Sequence, residues 1–140
     1  MPTLFTRIIR GEIPGRFVWR DAQCVAFLTI APLQPGHTLV VPIREVDHWL
    51  DLEPAEAAHL TLVSQKIGRA VQSAFAPKKV GLMIAGLEVA HVHLHVVPIH
   101  ELRDLDFARA DKAPAPAAMD AAAAKLRAAL RAAGHAEVAE

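Results

Sequence analysis

The sequence predicts an α+β domain. It should have a five-stranded antiparallel sheet, one long helix, a short N-terminal helix and a peripheral C-terminal helix. Three observations predict this. Short apolar or β-branched runs bounded by Pro, Gly or Asp recur between residues 16 and 97. One long stretch, residues 54–75, carries apolar residues at helical spacing. The first strands are joined by links short enough for hairpins, which favours antiparallel neighbours.

The elements follow in chain order. Thr3 can cap a helix over Leu4–Arg10, with Phe5, Ile8 and Ile9 on its apolar side and Gly11 as its end. Arg7 and Arg10 sit where the helix dipole favours cations. Pro14-Gly15 turns the chain. Arg16–Arg20 and Cys24–Ile30 read as strands joined by Asp21-Ala22-Gln23. Pro32 and Pro35-Gly36 precede a third strand, His37–Val41, stopped by Pro42. Pro54 suits a first helical position and Glu56 a first turn. Leu60, Val63, Ile67, Val71 and Phe75 then form one stripe, and Pro77 ends the helix. Val80–Ala85 and Val89–Val97 are the last two strands, the second ended by Pro98. Ala117–Ala133 has strong helix propensity but only Met119, Leu126 and Leu130 on one side. So thin an apolar face predicts a peripheral or partly frayed helix.

Composition narrows the function. A length of 140 residues is one domain's worth of chain, and 53% hydrophobic with 21% charged residues is globular. Fifteen basic residues balance fifteen acidic ones, which removes the electrostatic footprint of a nucleic-acid-coating protein. No apolar run is long enough to span a membrane, and Met1–Arg7 lacks the layout of a secretory signal. The single Cys24 can form neither an internal disulfide nor a cysteine zinc cluster, so a cytoplasmic location is expected. In its apolar strand, Cys24 should be buried and inert. Lys78-Lys79 reads as a solvated turn, and His48, His59, His100 and His135 as exposed.

Four of the eight histidines lie between His91 and His100. On a strand, His91, His93 and His95 share one face, and Val92, Leu94 and Val96 the other. The outer two histidines are then about 13 Å apart, too far for three rings to converge on one ion. A two-histidine metal site completed by His37 stays open. The other use of the row is a phosphate site. Neutral imidazole is a nucleophile near pH 7 and can form a phospho-imidazole intermediate, while neighbouring rings stabilise phosphoryl charge. A solvated strand face is the bland alternative; three histidines at alternate positions among apolar residues argue against it.

His91-Val92-His93-Leu94-His95-Val96-Val97 resembles the His-x-His-x-His signature of the histidine triad (HIT) family. The segments Leu4–Pro14 and Pro35–Pro42 resemble the opening and third strand of its Hint-like branch. The resemblance implies a HIT domain over residues 1–110, with 111–140 as an alanine-rich helical extension. It implies a nucleotide-binding hydrolase or nucleotidyl transferase acting on phosphoramidates or dinucleoside polyphosphates. The alternative within that resemblance is a low-activity nucleotide-sensing module. His93 would be the nucleophile, His91 would orient or polarise it, His95 would contact the α-phosphate, and His37 would lie nearby. A purine nucleotide's base and ribose would rest against Leu4, Phe5, Ile8, Ile13, Phe27 and Ile30. No cofactor is required, although zinc or another transition metal could bind adventitiously. A homodimer is expected, with neither nucleic acid nor membrane as partner.

Three departures from the family pattern stand out. Thr29 replaces a ribose-binding aspartate and lacks its charge-assisted strength. The loop before the triad, Ala85-Gly86-Leu87-Glu88-Val89, is short, and Ala85 cannot bond phosphate. Gly86, Glu88 and Val89 of this loop would border the nucleotide. Glu88 stands where a small hydroxyl residue usually assists the leaving group, so leaving groups carrying hydrogen-bond donors should be preferred.

Overall fold

A computed structural model describes residues 1–140. The elements are α1 (Leu4–Ile9), β1 (Phe17–Arg20), β2 (Cys24–Leu28), β3 (Thr38–Pro42), α2 (Pro54–Phe75), β4 (Lys79–Met83), β5 (Leu94–Ile99) and α3 (Pro116–Ala132). Short 3₁₀ turns lie at Trp49–Asp51, Leu102–Leu105 and Phe107–Arg109. The strands pair antiparallel throughout, in the order β1-β2-β3-β5-β4. This is the expected α+β sheet.

Alternation of side chains sorts the apolar residues into two layers. Cys24, Ala26 and Leu28 of β2, Val40 of β3 and Leu94 and Val96 of β5 face α2 and α3 in the main core. The α2 stripe of Leu60, Val63, Ile67 and Val71 covers them. Val25 and Phe27 of β2 and Leu39 and Val41 of β3 face the other way and meet Phe5 and Ile8 of α1.

Local chemistry sets the ends. The Thr3 hydroxyl accepts from the Thr6 N–H and caps α1. A Glu53–Glu56 capping box and Pro54 start α2. Ala76, with φ of 49°, turns the chain out of α2 before Pro77. Gly36 has φ of 98°, and a Cβ there would meet the Phe75 ring at 2.7 Å. Only glycine lets the chain enter β3 against α2 at this point.

Two expectations change. The last strand is Leu94–Ile99 rather than Val89–Val97. The Val92 N–H goes to the Val46 carbonyl, so residues 91–93 are tied to the segment after β3 before the sheet ladder begins. Pro98 does not end the strand. β3 starts at Thr38, opposite Val96, so at Pro98 one side of β5 has no strand needing its N–H. Helix α3 is peripheral in position but not frayed: Met119, Ala122, Ala123, Leu126 and Leu130 are all buried in the main core. The alanines let α3 approach closely, which a count of large apolar residues underrates. Beyond it Val138 bridges to Trp19, and Arg127 Nε donates to the carbonyls of Phe17 and Ala139.

Leu126→Ala should therefore cost about 2–4 kcal/mol of unfolding free energy, as for a fully buried leucine. Urea denaturation measures it; a loss below about 0.5 kcal/mol, typical of surface positions, would make α3 dispensable.

Candidate active site

The sheet face away from α2 and α3 carries the histidines. His95 lies in β5 between Leu39 of β3 and Met83 of β4. His91 and His93 precede the strand, so strand alternation does not align the three rings. Main-chain and side-chain bonds do. All four candidate histidines, His37, His91, His93 and His95, are buried at the residue level. The rings of His93 and His95 are 4.8 Å apart, and those of His37 and His95 are 5.1 Å apart.

The partners decide where each proton sits. His91 Nε2 lies 2.7 Å from the Pro42 carbonyl, which can only accept. Nε2 therefore carries the proton, and Nδ1 accepts from the Thr3 hydroxyl at 2.7 Å. His93 Nδ1 lies 2.8 Å from the His91 main-chain carbonyl and must donate. His93 Nε2 is left with a lone pair. A second chain starts at the Leu33 N–H, which donates to His37 Nδ1 at 3.0 Å. His37 Nε2–H then donates to His95 Nδ1 at 2.9 Å. That leaves His95 Nε2 with a proton to donate. Of the eight ring nitrogens, only these two have no protein partner. The one sealed and unpartnered side-chain polar atom is Ser64 Oγ, so both free nitrogens reach open space.

The electrostatics agree with neutral rings. Burial pushes the His37 pKa down to about 3, helped by His95 and His93. Burial and His93 push His95 down to about 4. Burial also lowers His93, against the opposing pull of its bond to the His91 carbonyl and the charge of Glu88. His91 is lowered by burial as well, against its bond to Pro42. The site thus sets a lone pair and an N–H donor side by side, with no charge to neutralise either. Both nitrogens of His91 and of His37 are engaged, so an ion held by His91, His93 and His37 would first have to displace one hydrogen bond on each of these two rings.

The remaining predicted residues divide. Phe5 sets its ring edge to face against His93 at 4.9 Å and His91 at 5.8 Å. Phe27 and Ile8 pack beside it, with Ile13 and Val89 at the margin of the same cluster. Leu4 and Ile30 are exposed and stand outside that cluster. The Thr29 hydroxyl accepts from the Ala31 N–H. Gly86, with φ of 76°, turns the loop, and Glu88 is exposed. Two neighbours of the rings carry no signal in the sequence. Phe107 packs at 5.0 Å from the His95 ring from a 3₁₀ turn after β5. Thr3 is legible as a helix cap but not as a partner of His91.

A sequence model of the HIT domain matches residues 10–102. An uncharacterized HIT-like protein of Methanocaldococcus jannaschii is 33% identical over 108 residues, spanning 70% of this chain and 79% of that protein. A bis(5'-nucleosyl)-tetraphosphatase (asymmetrical) of Schizosaccharomyces pombe is 32% identical over 91 residues, spanning 61% of this chain and 50% of that one. Among solved structures, a HIT-like protein of Bartonella henselae superposes with a TM-score of 0.80 at 30% identity, covering 91% of this chain and 95% of its own. Sequence and fold agree, and the chain belongs to the HIT domain family.

Proposed function

We propose that this protein is a nucleotide hydrolase or nucleotidyl transferase working through a covalent nucleotidyl–His93 intermediate. The observation that carries the reading is the free Nε2 lone pair of His93 beside the free Nε2–H of His95. In the first step His93 Nε2 attacks the α-phosphorus, a P–N bond forms, and the bond to the leaving group breaks. The His95 N–H donates to a non-bridging oxygen as charge builds there. Water then attacks phosphorus, the P–N bond breaks, and a nucleoside monophosphate leaves. His37 holds the His95 tautomer. His91 acts through its main-chain carbonyl, which holds the His93 tautomer.

The substrates are purine nucleoside phosphoramidates or dinucleoside polyphosphates, and the name of the fission-yeast relative supports the second class. Phe5, Ile8, Ile13 and Phe27 receive the base, with Leu4 and Ile30 at the rim. Thr29 meets the ribose, and Gly86, Glu88 and Val89 border the phosphates. Glu88 favours leaving groups that carry hydrogen-bond donors. It also supports the second reading, a low-turnover sensing module, because a carboxylate near phosphate is repulsive. No metal takes part in the chemistry. We place the protein in the cytoplasm as a homodimer that joins through the unpaired edge of β4. Leu82 is half exposed there beside a groove shared with α2.

Three outcomes test this. His93→Ala should keep nucleotide binding but lose turnover by at least about 10³-fold, as expected for losing a nucleophile. In a single-turnover quench, wild type should accumulate protein-bound nucleotide on His93; undiminished turnover by His93→Ala would sink the mechanism. The pH profile comes next. His93 must be neutral to attack, and burial holds its pKa below 6.5. The acid limb of kcat/KM should therefore have its midpoint below pH 6.5. A limb above 7 would show that His93 is not the group titrating. Last, Thr3→Val removes the donor to His91 and the cap of α1. We expect kcat to fall roughly tenfold, about 1.4 kcal/mol, with KM little changed and Thr3→Ser restoring it. Equal losses in valine and serine variants would assign Thr3 no role beyond packing.

A further inference from the structure

The geometry points to a transition-metal site on the helix side of the sheet. There Asp21, Cys24 and His59 offer one oxygen, one sulfur and one imidazole nitrogen to a divalent ion of the zinc class. It lies in a different layer from the histidine triad. Asp21 sits in the β1–β2 turn, Cys24 opens β2 on the α2 side, and His59 projects from α2. The expectation of a surface His59 is thereby corrected, since it is partly buried against Asp21.

Distances support the site. The Asp21 Oδ2, Cys24 Sγ and His59 Nε2 atoms all lie within 4.8 Å of one another. Ligands of a tetrahedral zinc site lie about 3.3–3.6 Å apart, given bonds of about 2.0–2.3 Å. Cys24 Sγ and Asp21 Oδ2 are already 3.5 Å apart, and His59 Nε2 and Asp21 Oδ2 are 2.8 Å apart. The tetrahedral requirement is met by opening the second pair by about 0.5 Å and drawing His59 Nε2 toward Cys24 Sγ, which lies within 4.8 Å of it, a rotation open to a side chain on a helix surface.

The hydrogen bonding makes a case of its own. Asp21 Oδ1 accepts from the N–H groups of Gln23 and Cys24 at 2.8 and 2.9 Å, which pins the carboxylate. Oδ2 is oversubscribed. It faces Trp19 Nε1–H at 2.9 Å, His59 Nε2–H at 2.8 Å and the Cys24 S–H at 3.5 Å. An oxygen with two in-plane lone pairs cannot serve three donors well. An ion relieves this. It takes Oδ2 directly, His59 moves its proton to Nδ1, and Trp19 remains as a partner supporting the ligating oxygen. Three metal–ligand bonds form, the Cys24 S–H bond breaks, and its proton goes to solvent. Two negative ligands then balance the double charge of the ion. Burial and the Asp21 carboxylate keep the metal-free thiol protonated, so the ion itself must drive this ionisation. His59 also lines an open groove with Gln23, Pro42, Arg44 and Glu56, which gives an ion an approach from solvent. The bound ion would clamp the β1–β2 hairpin to α2.

Cobalt(II) added to the full chain is the test. A cobalt–thiolate bond gives a near-ultraviolet charge-transfer band, and Cys24 is the only cysteine. Ions on the triad are silent in that band. We expect it to saturate at one ion per chain, to vanish when zinc is added, and to be absent in Cys24→Ser. Zinc binding in weak buffer should release about one proton per chain, that of the single thiol. His59→Ala and Asp21→Asn should weaken binding by more than roughly tenfold, the lower end even for outer partners of a metal. His59 lies at the edge of the core and is only partly buried, so its variant tests the site without opening the core, and circular dichroism of the metal-free protein checks the fold. Cobalt binding without the thiolate band overturns the proposal. So does a band unchanged by both substitutions.

Discussion

The site depends on keeping four imidazoles neutral and each in one tautomer. Two short hydrogen-bond chains do this. One runs from the Thr3 hydroxyl through the His91 ring to the Pro42 carbonyl, and the same residue's main chain holds His93. The other runs from the Leu33 N–H through His37 to His95. Each begins or ends on a main-chain group whose role cannot be reversed. The lone pair on His93 and the N–H on His95 are consequences of that polarity. A buried ring nitrogen left without a partner costs about 1–3 kcal/mol, so the pattern resists rearrangement.

The fold supplies the rest by dividing labour between the faces of one sheet. The helix side is a conventional apolar core, in which β2, β3 and β5 meet α2 and α3. That layer holds the strands rigid. The other face is thinly covered by α1, and it can afford polar groups because backbone atoms nearby satisfy them. Phe5 connects the two requirements. It belongs to the small apolar cluster and also lies edge on against His91 and His93, adding to the desolvation that lowers their pKa values.

The cluster around His91 and the cluster around Asp21 each begin at a capping or turn residue. Thr3 caps α1 and reaches His91; Asp21 closes the β1–β2 turn and reaches Cys24 and His59. A short polar side chain that satisfies local N–H groups is held in one rotamer, and its second lone pair or its proton is then available for distant partners. The local reading of each residue is correct and incomplete in the same way.

Residue order alone determined the layers, the helix stripe, the order of elements and the histidines that gather on one face of the sheet. These follow from periodicity, from breakers such as Pro54 and Gly36, and from a histidine motif that spacing makes unusual. Strand ends and α3 were less legible. Pro98 is tolerated because of a missing neighbour, and the packing of small alanines is decided by how closely α2 and β1 approach. Which nitrogen of each histidine is free was not legible at all. That choice belongs to the Thr3 hydroxyl and the Pro42 carbonyl, far from His91 in sequence, and to the nearer Leu33 N–H and His91 carbonyl, and only the folded chain sets all four against the rings.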